Sequence, residues 1–322
     1  MSGFHGVSVV VVNFNTRDKT IECLYSVMNQ GLGDDLELIL VDNGSTDGSA
    51  EAIRLAFPAM TVIEAGENLG FARGVNLGAR HASKHFVLLL NPDTVVLPGA
   101  IEAMLDFADA HPQYRMYGGR TLRPDGSVDP SSCWGAPTLW SLTSYALGLS
   151  TAFSGSRVFD PESLGSWKRD SVREVPVITG CLLLMSRSDW DALGGMDETF
   201  FLYGEDAEFS LRARREGLRP VIVPSATIVH EVGGSTASAG TKMCMVMAGK
   251  ATYLQKSWPA SSARLGVSLL QFGALLRGTA ERAARRAPSW GIVWDRRRDW
   301  RGGYPHAEAA LFGRPVESER AR

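Results

Sequence analysis

The chain is poor in the features that mark several protein classes. It has four cysteines in 322 residues, and they are scattered, with no CxxC pair and no metal-ligand spacing. This distribution argues against a cysteine metal site and favours a reducing compartment. No window approaches the roughly 18 consecutive apolar residues of a membrane span, and residues 1–7 lack the basic and apolar regions of a signal peptide. We therefore expect a cytoplasmic protein.

A strong charge of one sign is also missing. The formal net charge is -2, so no nucleic-acid partner is expected. The charge is unevenly spread, however: residues 1–260 contain 21 basic and 29 acidic residues, whereas 261–322 contain 12 basic and 6 acidic. Together with the long helical patterns after Lys242, this predicts a first domain over 1–240 and a helical, Arg-rich extension over 241–322.

Strand and helix patterns alternate along the first hundred residues. Apolar runs predict strands at 7–12, 36–41, 61–64 and 86–90 and, further along, at 220–223 and 227–230. Helices are predicted at 16–29, where Thr16 is the expected cap, at 48–57, at 72–82 and from Pro98 onward. Residues 118–175 are less regular. The βαβα order predicts an α/β fold with a mainly parallel sheet flanked by helices, and such sheets bind ligands at the carboxyl ends of their strands. Polar residues stand at those ends: Asn13, Asn15, Asp42, Asn43, Asn91 and Asp93.

Five motifs in sequence order resemble the family-2 glycosyltransferases. They are Val-Val-Asn-Phe-Asn-Thr (11–16), Val-Asp-Asn-Gly-Ser-Thr-Asp-Gly-Ser (41–49), Asn-Leu-Gly-Phe-Ala-Arg-Gly-Val-Asn-Leu-Gly (68–78), Leu-Leu-Asn-Pro-Asp-Thr (89–94) and Gly-Glu-Asp-Ala-Glu-Phe (204–209). The resemblance covers roughly residues 6–235 and extends to the bacterial branch that includes rhamnosyltransferases of cell-wall and surface-polysaccharide assembly. It implies a GT-A fold, a nucleotide-sugar donor and inversion at the anomeric carbon. It also implies that 1–240 is the catalytic domain, with 1–117 as its nucleotide-binding half and 118–240 as its acceptor-binding half.

The resemblance assigns the donor nucleotide to the first two strand ends and to the glycine-rich segment that follows. It implies that Asp42 accepts a hydrogen bond from the N3–H of a uracil or thymine ring, with contacts added by Asn13, Asn15 and Asn43. It places Arg73 near the base or phosphate, where a guanidinium suits a bidentate contact. Two plainer interpretations stay open: Asp42 caps the turn that follows it, and Arg73 is an exposed helix charge.

The segment Asn91-Pro92-Asp93 stands where the family has its metal-binding DxD motif, with an amide in place of the first carboxylate. The resemblance implies that Asp93 anchors Mg²⁺ or Mn²⁺ and that Asn91 stays with the nucleotide. His230 follows an apolar strand in His-Glu-Val-Gly-Gly-Ser-Thr and is the second candidate, either as a ligand of the cation or as a hydrogen-bond partner of the diphosphate. A structural Asn-Pro-Asp turn and a structural histidine are the alternatives.

The pair Glu205-Asp206 is the expected catalytic element. Inverting transfer needs a base that takes the proton of the acceptor hydroxyl, and the resemblance gives that role to Asp206, with Glu205 orienting it or the acceptor. Glu208 on the same turn is a further partner in the acceptor or donor-sugar pocket, together with Thr179 and Gly180. The plainer interpretation is that acidic residues simply favour the start of a helix.

The C-terminal extension carries an apolar stripe at helical spacing, followed by arginines. The stripe is Leu265, Leu269, Phe272 and Leu276, and the arginines are Arg277, Arg282, Arg285 and Arg286. One interpretation is an amphipathic helix on an anionic membrane, which places the enzyme peripherally on the inner face of the plasma membrane. The other is that the stripe packs on the catalytic domain.

The sequence therefore predicts an inverting, metal-dependent transferase that moves a hexose to a lipid-linked or polysaccharide acceptor. L-rhamnose from dTDP-rhamnose is the expected donor, with another dTDP- or UDP-hexose as the alternative. A non-catalytic sugar-nucleotide or glycan-binding module is a second hypothesis, and the intact Glu205-Asp206 pair argues against it. A nucleotidyltransferase is the third, but it needs a basic glycine-rich loop after the first strand, where Asn13-Phe14-Asn15-Thr16 stands instead.

Overall fold

The computed structural model describes residues 6–231 and 238–313, which form two compact units. The first, the sheet unit, takes in the described residues of 6–134, 167–196 and 209–231. The second, the helical unit, takes in 135–166, 197–208 and 238–313. The predicted boundary after residue 240 stays a prediction.

All described strands lie in the sheet unit. In chain order they are β1 (Val7–Asn13), β2 (Leu36–Asp42), β3 (Thr61–Glu64), β4 (Phe86–Leu90), β5 (Thr94–Val96), β6 (Met116–Leu122), β7 (Val128–Asp129), β8 (Cys133–Trp134), β9 (Arg173–Glu174), β10 (Val177–Ile178), β11 (Leu182–Ser186) and β12 (Val221–His230). Ten of them form one sheet of order β3-β2-β1-β4-β11-β6-β12-β5, with β7 beside β6 and β9 beside β12. Strands β8 and β10 form a separate pair.

The helices alternate with the strands and then dominate the C-terminal third. They are α1 (Arg17–Met28), α2 (Ser49–Ala56), α3 (Phe71–Ala79), α4 (Ala100–Ala110), α5 (Leu139–Ala146), α6 (Leu149–Ala152), α7 (Arg187–Leu193), α8 (Glu205–Arg215), α9 (Ala239–Ser257), α10 (Ala260–Ala283), α11 (Trp290–Asp295), α12 (Arg297–Trp300) and α13 (His306–Phe312). No described helix is both long enough and apolar enough to span a bilayer.

The centre of the sheet follows directly from the apolar runs. All seven residues of β1 are buried, because the strand is covered on both faces, as valine-rich parallel strands usually are. Strand β1 pairs in parallel with β2 and β4, and β2 pairs in parallel with β3. The carboxyl ends of these four strands therefore lie along one edge. The predicted α/β fold with a mainly parallel sheet and C-terminal helices is confirmed.

Three details differ from the sequence-based expectations. Helix α5 lies inside the segment that was expected to be irregular, and its start is set by a capping box between Thr138 and Ser141. The two strands expected at 220–223 and 227–230 are one strand, β12, with an irregularity between Val223 and Thr227. Pro98 does not open a helix, since α4 begins at Ala100 after a left-handed Gly99.

The helical unit packs its long helices through small residues. A Cβ on Gly266 of α10 would lie 3.1 Å from Leu142 of α5 and 3.0 Å from Leu254 of α9. A Cβ on Gly273 would overlap with the ring of Tyr145. These close approaches bring α5 and α9 directly against one face of α10.

Candidate active site

Two polar side chains meet where β1 and β2 end. Asn13 and Asp42 are register partners, and both are buried. The Nδ2 of Asn13 donates to Oδ1 of Asp42 at 3.0 Å, and the backbone N–H of Ser45 donates to Oδ2 at 3.1 Å. The turn-capping bond of the plainer interpretation is thus present. It does not exhaust Asp42, because a carboxylate has about four lone-pair positions.

Asn13 is held in place by the beginning of α1. Its Oδ1 accepts from the hydroxyls of Thr16 at 2.8 Å and Thr20 at 2.7 Å. Thr16 was expected to cap α1, but it forms no side-chain capping bond. Asn15, in the left-handed region at φ 53°, donates its N–H to the hydroxyl of Ser45 at 3.0 Å. These bonds join the β1–α1 loop to the turn after β2.

Asn43 supports the glycine-rich segment that leads into α3. Its Nδ2 donates to the Gly70 carbonyl at 3.0 Å. A Cβ on Gly74 would lie 2.9 Å from Cγ1 of Val12, so this glycine allows the close contact between α3 and β1. Arg73, on the first turn of α3, is half-buried. Asn43 therefore stabilises the segment before α3, in addition to its predicted contact with the nucleotide.

A carboxylate and an imidazole converge at the start of β5. Nε2 of His230 lies 3.1 Å from Oδ1 of Asp93, and the two side chains are 12% and 18% exposed. Their backbones are joined as well, because the N–H of Glu231 donates to the Asp93 carbonyl at 3.1 Å. Nδ1 of His230 is buried without a hydrogen-bond partner among residues 6–231 and 238–313. The rest of the His230 motif, 232–236, lies outside the described residues.

This pair meets part of the requirement for a divalent cation. An oxygen and a nitrogen ligand stand together. The carboxylate suits Mg²⁺ or Mn²⁺, whereas the imidazole suits a transition metal and so favours Mn²⁺ over Mg²⁺. Within the described ranges no group of three or more His, Cys, Asp or Glu side chains is gathered as an all-protein site would need. The residues therefore fit a cation that takes two ligands from the protein and the others from a bound diphosphate or water.

Asn91, Thr179 and Gly180 form a neighbouring group at the end of β4. The N–H of Asn91 donates to the Cys181 carbonyl at 3.3 Å. Thr179 lies 2.9 Å from the Cys181 sulfur through its hydroxyl. A Cβ on Gly180 would lie 2.9 Å from the ring of Phe71, the first residue of α3. Four of the five predicted motifs thus contribute residues to one edge of the sheet unit.

The remaining candidates, Glu205, Asp206 and Glu208, occupy the first turn of α8 and belong to the helical unit. The chain enters this turn through Tyr203 at φ 68° and Gly204 at φ 100°. A Cβ on Gly249 of α9 would overlap with the Tyr203 carbonyl oxygen, so the entry segment runs directly against the backbone of α9. A glycine is needed at both places for the turn to form.

Glu205 is 5% exposed, and its Oε2 is buried with no hydrogen-bond partner in the described part of the chain. Burial, reinforced by the adjacent Asp206 carboxylate, raises the pKa of Glu205 well above its ordinary range. Asp206 is more exposed than Glu205, and its Oδ1 accepts from the N–H of Ala207 at 2.8 Å. Two adjacent carboxyl groups in unlike surroundings are a frequent arrangement in sites that move protons.

Sequence reasoning missed Arg120. It lies within β6, opposite Thr227 of β12, and its Nε is buried without a partner in 6–231 or 238–313. The next residue, Thr121, lies 3.9 Å from the Cys181 sulfur through its hydroxyl, and because consecutive strand residues point to opposite faces, the side chain of Arg120 points to the other face of the sheet. An arginine is the one charged residue in Met-Tyr-Gly-Gly-Arg-Thr-Leu, and that isolation in a strand was the available signal.

The central sheet and its flanking helices define an α/β fold of the GT-A type. Among solved structures, a mannosyltransferase from Pyrobaculum calidifontis in complex with GDP-Man and Mn²⁺ matches with a TM-score of 0.57 and 18% identity, over 96% of this chain and 86% of that one. A likeness at this identity establishes the fold, and the predicted GT-A fold is confirmed.

The sequence comparisons narrow the class further. The family model "Glycosyl transferase family 2" matches residues 8–158, and "N-terminal domain of galactosyltransferase" matches 167–232. An N-acetylglucosaminyl-diphospho-decaprenol L-rhamnosyltransferase of Mycobacterium tuberculosis is 32% identical over 219 residues, 62% of this chain and 68% of that protein. A low-salt glycan biosynthesis hexosyltransferase of Haloferax volcanii is 26% identical over 216 residues, 66% of this chain and 62% of that protein. The chain belongs to glycosyltransferase family 2 and is similar to its rhamnosyltransferases.

Proposed function

We propose that this glycosyltransferase moves L-rhamnose from dTDP-rhamnose, with inversion, to a lipid-linked acceptor in bacterial cell-wall or surface-glycan synthesis. The observation that carries the proposal is the convergence of Asp93 and His230 on the same sheet edge that holds Asn13 and Asp42. The sugar and the acceptor class rest on similarity to the mycobacterial rhamnosyltransferase. With a nucleotide-sugar donor and a lipid-linked acceptor, the proposed reaction takes place at the cytoplasmic face of the membrane.

Asp42 is proposed to read the pyrimidine of the donor. Its carboxylate is oriented by bonds from Asn13 and Ser45 before any ligand arrives, so little conformational freedom is lost on binding. A carboxylate that keeps lone pairs in a buried position is well suited to accept the N3–H of thymine or uracil. Asn15, Asn43 and Asn91 follow β1, β2 and β4, and Arg73 lies on the first turn of α3. All four are proposed to contact the nucleotide.

Asp93 and His230 are proposed to hold Mn²⁺ or Mg²⁺, which when bound would neutralise charge on the departing nucleoside diphosphate. Arg120 is proposed to serve the same end. A guanidinium whose Nε is buried without a carboxylate partner in the described residues is stabilised by a bound anion. The donor diphosphate is the anion that the reaction itself supplies.

Asp206 is proposed to take the proton of the acceptor hydroxyl, with Thr179, Gly180 and Glu208 proposed for the sugar and acceptor pocket. Because burial favours the neutral form of Glu205, the negative charge of the pair rests on Asp206. Asp206 then acts as the base, while the protonated Glu205 is able to donate a hydrogen bond. This division of roles supports transfer over a purely binding role.

The test is nucleoside-diphosphate release from a panel of dTDP- and UDP-sugars, with Mn²⁺ or Mg²⁺ and then with EDTA, in the presence of a bacterial lipid extract. We expect release from dTDP-rhamnose that EDTA stops. The variant Asp206→Asn should lose about 100-fold or more of this rate while still binding donor in calorimetry. Asp191→Asn, an exposed aspartate on α7, is the matched control and should remain active.

Three outcomes would contradict parts of this proposal. Full turnover by Asp206→Asn would remove Asp206 from the role of base. Pyrophosphate as the product would point to a nucleotidyltransferase. Donor binding with no release, across all donors and with lipid extracts active in a parallel transferase assay, would indicate a binding module.

A further inference from the structure

One face of α10 is apolar, exposed and continuous. The outer stripe, defined as Leu265, Leu269, Phe272 and Leu276, repeats at the spacing of a single helix face. Leu265, Phe272 and Leu276 are 51%, 47% and 42% exposed. About half of the surface of these three side chains is therefore open to water.

The opposite face of α10 does the packing within the helical unit. Its buried residues are mostly small: Ala263, Gly266, Val267, Leu270, Gly273, Ala274 and Gly278. Gly273 accommodates the ring of Tyr145, and Gly278 faces the backbone of Gly291. Because Leu265, Phe272 and Leu276 leave about half of their surface outside these contacts, packing within the unit explains only part of the apolar character of the outer stripe.

The charge around the stripe is positive. Residues 260–289 contain one acidic residue, Glu281, and five arginines: Arg264, Arg277, Arg282, Arg285 and Arg286. Glu281 is engaged, because its Oε2 accepts backbone N–H bonds from Ser289, Trp290 and Gly291 at 2.8–3.1 Å. The positive charge of the arginines in this segment is therefore hardly offset by free carboxylates.

The arginines do not all serve the same purpose. Arg277, which the sequence placed among the membrane-facing cations, is half-buried and donates to the Tyr145 carbonyl at 2.7 Å, so it is structural. Arg282 is exposed and 3.3 Å from Asp295. Arg264, Arg285 and Arg286 are exposed. Cations are thus available near both ends of the outer stripe.

We propose that the outer stripe and these exposed arginines form a docking surface for an anionic lipid bilayer. An apolar face flanked by arginines lies in the interface of such a bilayer, with the side chains among the acyl chains and the guanidinium groups at the phosphates. A second copy of the chain is the poorer occupant, since two such faces would bring like charges together. The surface goes beyond the transfer reaction, and binding tests it without turnover.

The experiment is sedimentation of the full-length protein with vesicles of phosphatidylcholine containing a minor fraction of phosphatidylglycerol, and with vesicles of phosphatidylcholine alone. We expect binding to the anionic vesicles that is at least about fivefold stronger and that weakens as salt is raised. Equal binding to both vesicles, or no binding to either at high lipid concentration, would overturn the proposal.

Variants locate the surface. Phe272→Ser with Leu276→Ser should weaken binding to the anionic vesicles by about tenfold or more, because large apolar side chains no longer leave water. Leu55→Ser is the matched control: Leu55 is 83% exposed but lies on α2 in the sheet unit, and its loss should leave binding unchanged. Unchanged binding by the double variant would refute the assignment.

A second variant keeps the test valid if the first fails to fold, as judged by circular dichroism. Arg285→Gln with Arg286→Gln should reduce binding several-fold and flatten its salt dependence. Light scattering in the absence of vesicles covers the remaining alternative. A dimer that Phe272→Ser dissociates would assign the stripe to a second copy of this chain and overturn the bilayer proposal.

Discussion

Replacing Glu205 by glutamine should make the protein more stable than the wild type at alkaline pH. It should also reduce the dependence of the free energy of unfolding on pH. Burial together with Asp206 raises the pKa of Glu205 from 4.5 to about 8. Because this folded-state pKa lies above the unfolded value, the contribution of Glu205 to stability is fully present below the unfolded pKa of about 4.3. It is lost as the pH rises through the folded value.

The size of this loss in stability follows from the interval between the unfolded and folded pKa values of Glu205. Each pH unit between the two pKa values changes the free energy of unfolding by about 1.4 kcal/mol for a single group. Between pH 5 and pH 7 the free energy of unfolding of the wild type should fall by about 2 kcal/mol because of Glu205. This value is below the full two-unit change because Glu205 and Asp206 titrate as a coupled pair. For a chain of 322 residues that corresponds to a fall in melting temperature of about 3 °C.

The assay is thermal unfolding followed by circular dichroism at several pH values between 5 and 8, for wild type and Glu205→Gln. We expect the difference in melting temperature between the variant and the wild type to increase steadily, in favour of the variant, as the pH rises. Glu102→Gln is the control, because Glu102 also stands in the first turn of a helix but is exposed. Parallel curves for wild type and Glu205→Gln would refute the buried, neutral state of this carboxyl group.

Three further predictions follow from the site. His230→Ala should raise the Mn²⁺ concentration for half-maximal nucleoside-diphosphate release about tenfold or more, whereas exposed His81→Ala should not; an unchanged Mn²⁺ requirement would remove His230 as a ligand. Arg120→Gln should weaken donor binding about tenfold in calorimetry, and wild-type affinity would show that Arg120 is only structural. Gly249→Ala should lower the melting temperature by several degrees, because its Cβ overlaps with the Tyr203 carbonyl, and an unchanged value would mean that the segment before Glu205 moves freely.

Much of the sheet unit was readable from local patterns. The runs 7–12, 36–41 and 86–90 are apolar over lengths that only a buried strand accommodates, and their order predicted parallel pairing. From that pairing alone, Asn13 and Asp42 had to lie at one edge, and the structure places them in the same register. The polar residues at these strand ends can therefore be identified from short segments of sequence.

Other features depend on contacts between distant segments, which no local pattern encodes. The pairing of His230 with Asp93 requires that β12 return beside β5, 137 residues later in the chain. Arg120 resembles any strand arginine until the sheet buries its Nε. Helix α5 was hidden in a segment of mixed composition and is stabilised by α10, which follows more than a hundred residues later.

The sequence by itself determined the element order, the apolar strands and the polar residues at their carboxyl ends, because strand pairing and burial follow local periodicity. The tertiary structure alone decided which of these residues are buried, which share a hydrogen bond and which face water. Leu265 and Leu270 are the same residue type on the same helix, yet the first is 51% exposed and the second 1%. Only packing against α5 and α9 separates a leucine of the core from one that we propose meets a bilayer.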